Sequence, residues 1–497
     1  MAETQHKILS KDTLSIGIVG GGPVGIYFAY KCLEKKFNVT LIDAGFEDSE
    51  SSILSRKNYK FKTFSAMPAG VHRIGGGSAQ WRGRVSEFQD FDFQNESKTV
   101  IWPYPKSELD KYYIDLIKDL NLEMLTDKEM INNYFIKEAN FISNLFELRS
   151  YRFCKESFFV ELFQKIKNHP NLTTLMGTYC EEIKYLPAKN IFEFELLNHN
   201  NQKSILNTNF AVIAGGTLQT TSLLLRSKAL HNSYTPNSLG VFLMEHIEGY
   251  IGNLYIKNPQ DVNFFNNLLL NVENRSNKYN SEFGVAISNK NTKSINIHYE
   301  IRNFMPKFLI RNSPKLKHGH FLVRASFKLL ATIEKYFTYI PRIFFLNILK
   351  WKKISIYSVF MKAEELPNQL STLSIKGNNN SVYNHKISDQ TWQLIYNDIS
   401  LFRQNLKNKF NLKVAFYRNT SNIHLLKKIF GPNWHPMGTA RMGKYPENSI
   451  VDENLQIHGV NNCFVLSAAV FPTGSNSNPT FTVLTLARKL IDYITKI

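Results

Sequence analysis

Only four cysteines occur in 497 residues, at Cys32, Cys154, Cys180 and Cys463, with neither a CxxC pair nor metal-ligand spacing around them. That argues against a disulfide framework and a structural zinc site, and a reducing compartment is expected. No metal is expected. Long apolar runs are missing as well: Met1 to Leu14 is polar and lacks an apolar h-region, so neither a secretory leader nor a membrane anchor is expected there, and a cytoplasmic location is. There is no internal repeat, and the one low-complexity patch, Gly377 to Ser381, reads as a turn between strands. Acidic residues are in deficit, 41 against 60 Lys and Arg, for a net charge of +19. Such a charge suits nucleic acid, an anionic membrane surface or an acidic substrate. The hydrophobic content is nevertheless 43%, with 37 Phe and 23 Tyr, enough to bury the cores of about three average domains and more aromatic than a solvated binder needs.

Near the N-terminus the β-prone run Ser15 to Val19 leads into Gly20-Gly21-Gly22-Pro23-Val24-Gly25 and then a helical stretch, Ile26 to Lys36. Strand, glycine turn and helix in that order make a phosphate-binding turn. Gly20 allows the tight bend, Gly22 lets the backbone approach a pyrophosphate, and Gly25 lets helix and strand pack closely. A second strand, Asn38 to Ile42, ends at Asp43, eighteen positions after Gly25, where an acid reaches a ribose hydroxyl. These features predict dinucleotide binding and leave FAD and NAD both open.

Two C-terminal stretches carry more. One is Trp434-His435-Pro436-Met437-Gly438-Thr439-Ala440-Arg441-Met442-Gly443; the other runs from Val451-Asp452 through His458-Gly459-Val460 to Val470-Phe471-Pro472-Thr473 and Asn478-Pro479-Thr480. Between the termini, in order, come Gly75-Gly76-Gly77-Ser78-Ala79-Gln80-Trp81, Trp102-Pro103-Tyr104, Ala214-Gly215-Gly216, Met244-Glu245-His246 and Glu365-Leu366-Pro367-Asn368. Together they resemble the glucose–methanol–choline (GMC) family of FAD-dependent alcohol and sugar oxidoreductases over nearly the whole chain. The resemblance implies FAD, with Gly20, Gly22, Gly25 and Asp43 at its ADP half and Gly76, Gly77, Gln80 and Trp81 near the isoalloxazine. It implies further that Ala214 and Gly215 pass the adenosine, and that Ala468 and Thr480 meet the ribityl chain and pyrimidine edge. Where many members have Asp, this chain has Ser467. Positions that carry a covalent histidine in some relatives fall on Gln80 and Pro68, so non-covalent FAD is expected.

Removing a hydroxyl proton at neutral pH suits a neutral imidazole, and His435 is the candidate base. The position beside it that the family fills with His or Asn falls on Asn478, whose amide cannot take a proton but can hydrogen-bond the substrate oxygen. The implied reaction oxidises the CH–OH group of an alcohol or sugar-like substrate to the carbonyl, with a dehydrogenase preferred to an oxidase. Oxygen, a quinone or a protein is the electron acceptor. A lyase with structural FAD and an inactive flavin-binding protein are the alternatives.

The resemblance implies an α/β fold: a doubly wound Rossmann-type FAD domain from residues 1–100, 155–250 and 430–497, with a discontinuous α+β substrate domain on an antiparallel sheet, from 101–154 and 251–429, and it puts the Gly377 to Ser381 turn between strands of that substrate sheet. About half of the net charge lies between Lys307 and Lys353, with eleven Lys or Arg and one acid, Glu334. From Leu322 to Phe344 this segment is amphipathic, with Arg324, Lys328, Lys335 and Arg342 on one face. It reads either as an interfacial membrane helix or as a core-packing helix with solvated charges. The first reading puts peripheral membrane contact through 322–353, at the inner face, and suits a lipid-linked substrate; nucleic acid is not expected, for want of a binding module.

Overall fold

The computed structural model describes residues 14–46, 60–61, 73–79, 81–94, 102–122, 145–228, 238–269, 283–289, 295–303, 354–376, 380–410, 413–416, 422–432 and 435–497, apart from a few isolated positions. Gln80, Trp434, the Gly377 to Asn379 part of the low-complexity patch and the basic segment 307–353 lie outside the described residues.

A five-stranded parallel sheet runs in the order Cys463–Val465, Phe210–Ile213, Ser15–Val19, Asn38–Ile42, Leu172–Leu175. Its strands are short apolar runs because both faces are covered, as parallel sheets require. Ile16, Ile18, Leu41, Val212 and Phe464 are all fully buried. Helix Pro23–Glu34 follows the first strand, and the C-terminal helix Pro479–Ile494 packs against it. Each has Pro in its first turn, where the missing N–H costs nothing. Helix Ser107–Asp119 joins this side: its Tyr113 ring stacks on Phe481 at 5.6 Å, and its hydroxyl shares a 2.8 Å hydrogen bond with Thr482. Sequence alone groups this helix with 101–154 and the antiparallel sheet, which strand Phe146–Phe153 of that segment does join. The buried stripe of Leu109, Tyr112, Tyr113 and Leu116 draws the helix to the C-terminal one instead.

The second body is an antiparallel sheet in the order Lys413–Phe416, Ile247–Ile256, Ser355–Ala363, Ile297–Asn303, Phe283–Asn289, Phe146–Phe153, Arg84–Val85, with Gly431–Pro432 pairing beside Ile247–Ile256. Its two faces differ sharply. Because side chains alternate across a strand, Ile297, Tyr299 and Ile301 pack with Met361, Val359 and Ile287 under helix Asp389–Phe410, through Trp392, Ile395, Ile399 and Phe402. His298, Glu300 and Arg302 fall on the other face. In register across neighbouring strands lie Glu248, Lys362, His298 and Ser288, a polar row at right angles to the strands.

The strands either side of the low-complexity patch, Thr372–Lys376 and Asn380–Asn384, do pair as a hairpin, but in a separate three-stranded sheet with Lys60–Phe61. Leu373 and Tyr383 hold it in a small cluster with Leu243, away from the main antiparallel sheet. No helix among the described residues is long and apolar enough to cross a membrane.

Candidate active site

The glycine turn has the backbone its residues require. Gly20 sits at φ +117°, and a Cβ there would lie 2.5 Å from the Ala214 carbonyl oxygen; one on Gly25 would lie 1.9 Å from the Gly20 oxygen. Neither position admits a side chain. Gly22 is different: a Cβ there would meet nothing within 4 Å, and the same holds at Gly77 and Gly216. Gly22 and Gly215 are N-caps of helices Pro23–Glu34 and Gly216–Arg226, and neither helix has a side-chain cap or an acid in its first turn. Two helix starts without side-chain caps or first-turn acids, with open glycine faces beside them, could cradle a dinucleotide's phosphates. The second glycine run closes on the first, with Gly75 N–H donating to the Gly21 oxygen at 2.9 Å.

Asp43 follows the second strand where the sequence predicts, and its half-buried carboxylate accepts the N–H of Gly21 at 2.6 Å and of Gly45 at 2.7 Å. Burial raises its pKa above the usual range, against those two N–H donors. The acid therefore braces the glycine turn, and each oxygen retains a lone pair for a ribose hydroxyl. Trp81 donates from its indole N–H to the Glu156 carbonyl at 3.2 Å and packs on Phe159. Ala468 lies in a short turn capped by the Ser467 hydroxyl, which accepts the Ala469 N–H at 3.3 Å; the Ala468 carbonyl accepts the Gly438 N–H at 2.9 Å. Thr480 lies in the first turn of the C-terminal helix.

His435 follows the short strand Gly431–Pro432. Met437 pairs reciprocally with Met244, at 2.9 Å for both bonds, which draws the His435 segment along Met244, Glu245 and His246. The Glu245 carboxylate accepts the His435 backbone N–H at 2.7 Å, and the rings of His435 and His246 lie 4.7 Å apart. Nδ1 of His435 lies 3.7 Å from Oε1 of Glu248; that oxygen is also 3.7 Å from the Lys362 Nζ and 3.8 Å from Nδ1 of His246. Lys362 in turn donates to Oδ1 of Asn478, the N-cap of the C-terminal helix. Thus His435 and Asn478, 43 positions apart in the chain, stand at the two ends of a bridge formed by Glu248 and Lys362.

The loop that carries Asn478 is held from behind. The Trp102 indole donates to the Thr473 hydroxyl at 2.8 Å, Thr473 and Ser475 hydroxyls donate to the carbonyl and carboxylate of Asp92 at 2.8 Å, and the Ser477 hydroxyl donates to the Glu87 carbonyl at 2.9 Å. This anchoring presses the loop onto the polar face of the antiparallel sheet, where Asn476 donates to the Ser288 hydroxyl at 3.5 Å.

Charge in this layer is paired. Glu300, 1% exposed in its side chain, bridges Arg84 and Arg302. Burial works to raise its pKa, but the two guanidinium groups hold it well below the usual carboxylate range. Burial pushes the Lys362 ammonium down to about 8, with Glu248 opposing. Burial, with Arg84 and Lys362 adding to it, pushes His298 down to about 3 despite its bond to Glu300, and His246 is likewise held well below its usual range. Beneath His435, burial raises Glu245 to about 8; Glu365 accepts the Glu245 N–H at 2.9 Å and is hydrogen-bonded to His385 at 2.7 Å.

Glu245, His246 and Glu365 stand in motifs that the sequence displays, whereas Glu248, Lys362, His298, Arg84 and Glu300 were not singled out there. The available signal is the alternation in Ile297-His298-Tyr299-Glu300-Ile301-Arg302. On its own that pattern describes any strand with one face in water.

Residues 385–487 match the family model for GMC oxidoreductases. The chain is 31% identical to the 2-methyl-1,2-propanediol dehydrogenase of Mycolicibacterium austroafricanum over 139 residues, 28% of this chain and 25% of that one. The matched stretch thus spans about a quarter of that relative. Among solved structures, pyridoxine 4-oxidase from Mesorbium loti is 15% identical with a TM-score of 0.58, covering 97% of this chain and 99% of its own. A formate oxidase is 14% identical with a TM-score of 0.60, covering 97% and 98%. Such likeness shows a shared fold from end to end. With the family match, it bears out the resemblance to the GMC oxidoreductases read from the sequence.

Proposed function

We propose that this chain, with the fold and C-terminal signature of the GMC oxidoreductases, is an FAD-dependent enzyme that oxidises a CH–OH group to the carbonyl. One observation carries the proposal: His435 and Asn478 stand at the two ends of the Glu248 and Lys362 bridge, on the polar face of the antiparallel sheet. The cradle fits the cofactor, because Gly22, Gly77 and Gly216 leave open the space a Cβ would fill and two helix starts lack side-chain caps. Gly20, Gly22, Gly25, Asp43, Ala214 and Gly215 would hold the ADP half. Gly76, Gly77, Trp81, Ala468 and Thr480 would lie along the flavin half. When bound, FAD supplies the hydride acceptor.

The chain's own residues supply the rest. With Nδ1 beside Glu248, the His435 imidazole takes the hydroxyl proton of the substrate. Its ring is 26% exposed, so it stays reachable. Asn478 hydrogen-bonds the substrate oxygen and limits the poses in which the carbinol C–H faces the flavin. The layer of Trp102, Phe88 and Phe471 behind the Asn478 loop excludes water from that side. The substrate is an alcohol or a sugar-like molecule, as the hydrogen-bonding groups of Glu248, Lys362, His298 and Ser288 suit. The related dehydrogenase, named for 2-methyl-1,2-propanediol, fits an alcohol-type donor, and the acceptor is oxygen, a quinone or a protein.

The test is a panel of sugars and primary and secondary alcohols added anaerobically to the holoenzyme. Loss of the oxidised flavin absorbance with one of them is the expected result. If the carbonyl or eliminated product forms while the flavin stays oxidised, the oxidoreductase reading falls in favour of a lyase. With Gln80 at the position of a family linkage, all flavin should leave the acid-denatured protein.

A further inference from the structure

We propose that Lys362 is a positioning residue for this reaction: by donating to Oδ1 of Asn478, it sets the amide with its NH2 end toward the substrate oxygen. The proposal rests on the oxidoreductase reading and deepens it.

The two ends of an asparagine amide have nearly the same shape and opposite hydrogen-bonding character, so a neighbour must decide which faces the substrate. An ammonium group decides without ambiguity, because it carries three donors and no acceptor. Whatever it touches on Asn478 must be the oxygen. The remaining contact of that amide is a long one, Nδ2 to the Arg84 carbonyl at 3.5 Å, which leaves donor capacity on the NH2 group. This orientation matters for proton removal. As the hydroxyl proton moves to His435, the substrate oxygen gains negative charge, which an N–H donor stabilises and an amide oxygen would repel.

A second observation points the same way. Asparagine is among the best N-cap residues because its side chain accepts an N–H from the first helical turn. Asn478 is an N-cap in extended backbone, φ −64° and ψ 136°, yet its side chain makes no capping hydrogen bond. The amide oxygen is diverted from its usual local partner to Lys362, 116 positions earlier in the chain.

The fold holds Lys362 in place for the task. It sits at the centre of the polar row, opposite Glu248 on one neighbouring strand and His298 on the other, and it is 3% exposed. Glu248 lies 3.7 Å from its Nζ and supplies the counter-charge that a buried ammonium needs. The same carboxylate lies 3.7 Å from the His435 ring, so one acid links the base to the group that orients its partner.

A double-mutant cycle tests this. The holoenzyme, Lys362→Met, Asn478→Ala and the double variant are reduced anaerobically with the alcohol that reduces the unmodified protein, and the rate of flavin reduction is read. Lys362→Met is expected to slow reduction about 10- to 100-fold, with the alcohol concentration at half-maximal rate changed less than the rate. Lys362→Arg, which keeps a donor and a charge, should recover most of the loss. In the Asn478→Ala background, Lys362→Met should change the rate by less than about twofold, since a residue acting through another has nothing left to act on. An equal loss in both backgrounds, or no loss in either, overturns the proposal. Should Lys362→Met fail to retain flavin, Lys362→Gln enters the same cycle. An unmodified protein reduced by no alcohol overturns the oxidoreductase reading and this proposal together, whereas reduction with an additive cycle overturns this proposal alone.

Discussion

From inside a fully buried pocket, the Glu245 carboxylate accepts the backbone N–H of His435 at 2.7 Å. The acid therefore holds the main chain of the candidate base, while the ring faces Glu248 and His246. It shares the pocket with Glu365 and His385, and burial raises its pKa from 4.5 to about 8.

That shift has a sign. A carboxyl whose pKa is higher folded than unfolded binds protons more tightly in the native state, so its favourable contribution is complete below about 4.5 and fades as pH rises toward about 8. Glu365, raised by burial, and His385, raised by the two carboxylates against its own burial, act in the same direction. Thermal unfolding followed across this window should show stability falling with pH. Glu245→Gln keeps an acceptor for His435 and removes one titration, so its curve should be flatter. An unchanged slope would show that Glu245 does not titrate there.

The glycine turn separates folding from cofactor binding. Gly25→Ala would place a Cβ 1.9 Å from a backbone oxygen, so it should destabilise the chain by several kcal/mol, the range of strained or overpacked backbone sites. Gly22→Ala meets open space and should fold as before with a lower flavin content. Far-ultraviolet circular dichroism and the flavin-to-protein absorbance ratio distinguish the two outcomes.

Replacing His435 with Ala should slow anaerobic flavin reduction by roughly 10²- to 10⁴-fold, the usual worth of a general base, while flavin stays bound. The buried neighbour His246, held neutral by burial and by Lys362, lies beside it but is not expected to replace it. Turnover unchanged in His435→Ala would remove His435 from the mechanism.

Glu300 is the acid between Arg84 and Arg302, in the layer that carries Lys362. Glu300→Gln leaves two partly buried guanidinium groups without their counter-charge, and breaking a buried pair in this way costs about 3–5 kcal/mol. Urea unfolding should report that loss. Since the carboxylate pKa is held low, the stability it contributes is present above about pH 4.5 and is lost as pH falls through its native value. Glu300→Gln should therefore lose most against the unmodified protein near neutrality.

Contiguity explains what the sequence determined by itself. Gly20, Gly22, Gly25 and Asp43 form a local unit, strand, turn, helix and strand, whose geometry follows from a few neighbouring residues, so the unit is legible without a fold. The same holds for the His435 stretch and for Asn478 before Pro479, each marked by its immediate neighbours. Tertiary structure alone decided what stands between them. His298, Glu300, Arg302 and Lys362 lie at alternate positions of amphipathic strands, a pattern that reads as a face in water. It becomes the wall of a site only because a distant loop, pinned by Asp92 and Trp102, closes over it. Nothing near Lys362 in sequence says that its ammonium will meet an N-cap asparagine 116 positions away. Local rules set the backbone and the chemistry of each motif; which charges are buried, and what they face, depends on the packing of one sheet against another chain segment.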